Sequence, residues 1–255
     1  MRGWKGRFKG GIGWMLIAVV MTAGRAEPVQ APFEGEIFYL VEEFREGLPA
    51  ERTYHFRATP ERMYLESSHS HVLMRGVHAN RFLVRNDQRN LVLINRDQES
   101  FQVTGEEAEA LAQLIRQMKR GEAAPVDWDS RVRETGRTME IQGMQAVEFE
   151  VRHPDRPLMV SVWLTSEIQV AWGYLETLWR QSLSGLLEMD VPVEVFMNRN
   201  SFPLRIEYRE DGELTTRIEA VRIRRGVLSP SALEIPEGTT PIGMSDLMMR
   251  MMRGS

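Results

Sequence analysis

The chain has no cysteine among its 255 residues. Disulfide staples, thiolate metal sites and lipid attachment through a cysteine are excluded, so stability must come from a packed core. Lysine is almost missing as well. Lys5, Lys9 and Lys119 are its only occurrences, and the arginines that supply the remaining cations are scattered rather than clustered. That pattern does not make a phosphate-binding stripe. Long apolar runs are also absent. The mostly apolar stretch Ile12 to Ala23 falls short of the roughly 18–20 residues a spanning helix needs, and no other stretch approaches it. Catalytic signatures are missing too: there is no P-loop, no His-Glu-x-x-His and no dinucleotide fingerprint. "QSLSGLLE" lacks the first glycine of a nucleophile elbow and lies in a predicted helix. No enzyme and no cofactor are expected.

Residues 1–26 read as a secretory signal peptide. Arg2, Lys5, Arg7 and Lys9 form a basic start, the apolar stretch follows, and Gly24 and Ala26 sit at the small-residue positions of a cleavage site. Residues 27–255 are then expected to form one soluble α+β domain, periplasmic or secreted, with no integral membrane segment after cleavage. Without the five cations of that leader, 27 basic residues face 36 acidic ones. A negative balance argues against nucleic acid and against an anionic membrane surface.

From Phe33 onward, short runs rich in β-formers recur about every ten residues. They are "EIFYLVEEF", "TYHFRAT", "RMYLES", "HVLMRG", "RFLVRND", "NLVLINRD" and "SFQVT". The gaps are too short for helical crossovers, so an antiparallel meander is expected. Thr104 and Glu107 make a capping box for a helix near 105–120. "RVRETG", "TMEIQG", "QAVEFEVRH" and "LMVSVWLT" return to strand. Ser166 is read as the N-cap of a helix over 167–188, whose apolar face carries Trp172, Leu175, Trp179 and Leu183. The last strands flank the Asp211-Gly212 hairpin turn. Ile218 and Ala220 share one parity and Val221 and Ile223 the other, which predicts a β-bulge near Ala220. A Met-rich helix over about 243–253 closes the chain.

Several of these residues carry a resemblance. Gly143 to Phe149 before Trp163-x-Thr165, then Pro203-Leu204, a hairpin, and Leu233 to Gly238 are similar to motifs of a family of exported bacterial proteins with a domain of unknown function. That family resembles the periplasmic lipoprotein carriers, and the likeness spans most of residues 33–240. It implies a strongly curved antiparallel sheet, a half barrel, with helices packed on its concave face. In such carriers the concavity can shelter acyl chains. Family members often have a cysteine after the glycine, where this chain has Ala146 or a neighbour, and the Met-rich end has no counterpart. The resemblance brings no functional residue with it.

The expected function is therefore non-catalytic binding of an apolar ligand, a lipid or acyl chain, between the sheet and the helix bearing Trp172, Leu175, Trp179 and Leu183. The alternative is an envelope module with a filled core that binds a protein partner, the Met-rich tail being the first suspect. Copper binding through that tail or through His69 and His71 ranks third. On one strand, His69 and His71 share a face and supply two ligands, while His78 has the other parity. No residue is assigned as a metal ligand, and the histidines are read as polar side chains on the solvent face of a strand or at its end.

Overall fold

The computed structural model describes residues 32–44, 51–74, 77–110, 131–153, 157–178, 194–197 and 199–253. The expected leader, residues 1–26, lies outside them. All the described residues belong to the compact unit Ala31–Ser255.

One sheet of twelve strands organises them. The first meander runs β1 (Gly35–Glu43), β2 (Glu51–Ala58), β3 (Arg62–Met74), β4 (Val77–Arg85), β5 (Asn90–Ile94) and β6 (Glu99–Thr104). The second runs β7 (Val132–Ile141), β8 (Met144–Arg152), β9 (Leu158–Thr165), β10 (Phe202–Glu210) and β11 (Glu213–Arg225). Antiparallel pairing of β1 with β11 joins the two meanders, and β12 (Thr240–Pro241) lies parallel beside β6. Gly35 is required at the join: it has φ +147°, and a Cβ there would lie 2.1 Å from the Arg224 carbonyl oxygen.

Alternation decides what each face buries. Ile37 and Tyr39 of β1, with Phe56 and Ala58 of β2, turn into the main core. Val160, Val162 and Leu164 of β9 join them there. Tyr39 donates its hydroxyl to the Pro203 carbonyl at 2.8 Å, so burial of its ring leaves no unpaired polar atom.

The expected α+β class is overturned. The described residues are mainly β, in a mixed sheet that does not close, with β12 and β7 as its two edges. They are not a half barrel with helices packed on a concave face. Among the described residues the helical segments are short: α1 (residues 105–110), α2 (Gly173–Leu178), α3 (Glu194–Met197) and α4 (Met244–Arg253); residues 111–120 of the helix expected near 105–120 lie outside them. The main misreading concerns residues 166–172, which are not helical. Ile168 and Val170 alternate into the core, and the Phe33 N–H bonds the Gln169 carbonyl at 2.6 Å. Helix begins only at Gly173, where the Asn86 amide bridges the Ala171 carbonyl and the Tyr174 N–H. The cap thus comes from the β4–β5 turn and not from Ser166. Residues 179–188 of that expected helix lie outside the described residues.

Other expectations hold. The α1 box is reciprocal: the Thr104 N–H donates to the Glu107 carboxylate at 2.9 Å, and the Glu107 N–H donates to the Thr104 hydroxyl oxygen at 3.4 Å. Asp211 and Gly212 take the positive φ of the hairpin turn. Phe38 pairs with Arg222 while Tyr39 pairs with Ala220, so Val221 is the extra residue of a bulge. Two pairs of expected strands merge: "RMYLES" with "HVLMRG" into β3, and "RVRETG" with "TMEIQG" into β7. The register of each slips inside the strand.

The outward face divides into two covered parts. Beyond β11, residues 226–239 cross β2 to β5 as a strap. Leu233 of the strap packs with Tyr64, Leu83, Val92 and Ile94 as a second small core. Arg57 donates to the Ala232 carbonyl, and Arg62 and Arg85 both reach Glu234. On the other wing, buried Glu148, Glu150 and Glu207 are each met by arginine: Arg137, Arg133 with Arg137, and Arg209 with Arg217. Between strap and ion lattice, the outward face of β11, β1, β2 and β3 is left uncovered by the described residues.

Candidate functional site

The open part of that face is a groove of about 810 Å³. Its apolar surface comes from parity. Phe38 and Leu40 of β1 point outward with Glu36 and Glu42, a side where a strand at a solvated face would carry only polar residues. The bulge adds Val221, which is 46% exposed. Thr53 and His55 of β2 and Ser68 of β3 complete the wall.

Three side chains stack at its centre. The Arg222 guanidinium lies 3.9 Å from the Phe38 ring centroid, and Phe38 stacks on His55 at 4.0 Å with planes 18° apart. A guanidinium over a ring is attracted by the ring quadrupole. Both His55 nitrogens are committed. Arg57 can only donate, so Nδ1 accepts from it at 2.9 Å, and Nε2 carries the proton to Glu36 at 2.9 Å. Burial, and then the Arg57 charge, hold the His55 pKa below its ordinary value against the pull of Glu36. A ring held this way orients its neighbours and has no lone pair left for proton abstraction.

Charges around the groove are neutralised in pairs. Glu66 takes Arg57 at 3.1 Å and Arg81 at 3.0 Å, Glu36 takes Arg224 at 3.2 Å, and Glu42 takes Arg217 at 3.3 Å. Arg222 has its ring contact but no carboxylate partner among the described residues.

The residues singled out from sequence lie elsewhere. Trp172 stacks on Phe202 at 6.0 Å, and Phe202 in turn contacts Phe56 at 5.1 Å. Leu175 packs half-buried on the same core. Trp179 and Leu183 lie outside the described residues. His69 and His71 do share a neighbourhood, 4.3 Å between centroids, but they are half-buried against Tyr54 rather than on a solvent face. Ser67 Oγ engages His69 Nδ1 at 2.9 Å, and His71 Nε2 is buried without a hydrogen-bond partner among the described residues. Burial, then His71, Arg52 and Arg96, push the His69 pKa down to about 4. The same two guanidiniums repel a metal cation. Among the described residues no three His, Asp or Glu side chains are grouped to hold one. His78, opposite Val72 in register, is exposed. Met244 packs on the main core, and Met248 and Met249 are exposed on α4.

Sequence reasoning missed the Arg222–Phe38–His55 stack because its members come from three strands whose register was unknown. The available signal was the outward parity of Phe38 and Leu40.

No family model matches the chain, and no curated protein does. Superposable solved structures include PNGF-II in C2 and P21 crystal forms, with TM-scores of 0.43 and 0.40 and 10% identity in each. The matches cover 86% of this chain but only 32% and 33% of PNGF-II, so the chain spans about a third of that protein's length. Likeness at this level transfers neither fold nor function. Among the described residues, no helix is long and apolar enough to cross a membrane.

Proposed function

We propose that the protein is a non-catalytic binding protein for an apolar chain, a lipid or acyl group, held in the outward groove of β11, β1, β2 and β3. The observation that carries this reading is the apolar strip of half-buried Phe38 and Leu40 with exposed Val221 on an otherwise ion-paired face. Its volume falls within the roughly 300–1,000 Å³ of ligand-sized clefts. Binding would be driven by desolvation, worth up to about 0.8 kcal/mol per buried methylene. Two added methylenes should then tighten binding by up to about 15-fold.

The test is calorimetry with uncharged alkyl glucosides of rising chain length, kept below their micelle concentrations. Affinity should rise with length and collapse in Leu40→Glu and Val221→Glu, which place a charge in the strip. A flat response to length, or unchanged binding by both variants, would overturn the reading. A protein-interaction module of the cell envelope is a second reading, favoured by Met248 and Met249 exposed side by side on α4. Truncation before Met244 should abolish partner capture while sparing glucoside binding. Loss of glucoside binding with partner capture intact would count against it.

A further inference from the structure

The groove's polar end carries information about the ligand's head. Arg222 spends the face of its guanidinium on Phe38 at 3.9 Å, and that contact leaves the in-plane N–H donors unspent. It is also anchored, so ordering the side chain for a ligand costs less than ordering a free arginine. Arg57 and Arg81 share Glu66, Arg217 takes Glu42 and Arg224 takes Glu36, so among the described residues beside the groove Arg222 is the guanidinium without a carboxylate partner. Ser68 Oγ accepts the Thr53 N–H at 3.0 Å, which leaves its own O–H free to donate. Leu40 and Val221 begin the apolar strip next to this donor group.

An unpaired donor fork beside an apolar strip fits a ligand with an anionic head and a long chain. A dianionic phosphate would bring a second charge toward Glu66, which lines the same groove. The planar fork matches the two oxygens of a carboxylate. Resting on the chain-binding reading above, we propose that the groove selects a long-chain monocarboxylate, its carboxylate on the Arg222 guanidinium and its chain along Phe38, Leu40 and Val221.

The test compares dodecanoate with dodecanol, identical in chain and differing in head charge, against the whole protein and the Arg222→Gln and Arg222→Lys variants. The native protein should bind dodecanoate about tenfold or more tighter than dodecanol, and added salt should narrow the gap. Arg222→Gln should bring dodecanoate down to the level of dodecanol measured in the same variant. Arg222→Lys keeps the charge but loses the fork and should fall between. Equal affinities in the native protein, or a preference that survives Arg222→Gln, would overturn the head assignment while chain binding stands. Binding of neither compound would overturn chain binding, and the head assignment with it.

Discussion

Truncating Leu233 to alanine tests whether the strap is part of the cooperative fold. Leu233 is 3% exposed and packs on Tyr64, Leu83, Val92 and Ile94 from the outward side of β3, β4 and β5. Buried Leu→Ala changes cost about 2–5 kcal/mol, the lower values where the surroundings can collapse into the gap. A strap segment can settle inward more easily than a central strand, so about 2–3 kcal/mol is expected. For a chain of this size, each kcal/mol lowers Tm by roughly 2–4 °C, giving a fall of about 4–12 °C. Urea unfolding should show a lower midpoint with an unchanged slope. Val227→Ala, at a strap residue 89% exposed, is the control and should stay within about 0.5 kcal/mol. If Leu233→Ala matched that control, the strap would not be docked. The Arg57 contacts that tie His55 and Glu66 to the Ala232 carbonyl would then lose their meaning.

The histidine pair makes the fold acid-sensitive. His69 and His71 have pKa values below those of the unfolded chain, so the unfolded state binds more protons in that range. Their stabilising contribution is complete above about pH 6.5 and is lost as pH falls below it, for His69 toward about 4. His71→Phe keeps a ring beside Tyr54 and removes the unpartnered Nε2. It should raise stability at pH 5 more than at pH 8 in paired urea melts, and an equal effect at both would refute the assignment. In the ion lattice, Arg137→Ala leaves the Glu148 carboxylate, 2% exposed, with Thr135 as its remaining side-chain donor at 2.7 Å. The expected cost is about 1–3 kcal/mol by chemical denaturation. Gly35→Ala should cost about 1–3 kcal/mol through backbone strain alone, before its clash with Arg224 is counted. A neutral result in thermal melts would contradict the β1–β11 join described here.

Much of the strand pattern was legible because alternation is local. The Asp211-Gly212 turn, the α1 capping box and the Val221 bulge each follow from a few adjacent residues. The start of the helix expected over 167–188 was misread because its periodicity competes with tertiary contacts of Ile168, Val170 and Phe33, and its real cap, Asn86, lies 88 residues before Tyr174 in the chain. The fold class went wrong for a related reason: the helix expected over 167–188 opens with residues that are not helical. The groove was still less legible. Phe38, His55 and Arg222 meet only after β1 pairs on one side with β2 and on the other with β11. Sequence shows that Phe38 and Leu40 sit on the wrong parity for a solvated face, but not what covers them or which cation is left unpaired.

The central claim, that ligand lies on the outward face, is tested most directly by methyl-resolved NMR during titration with dodecanoate. The expected result is that shifts concentrate at the methyls of Leu40 and Val221, with Leu175 on the core side unmoved. Shifts centred on Leu175 with Leu40 and Val221 unchanged would contradict the account and return the site to the core face of the sheet.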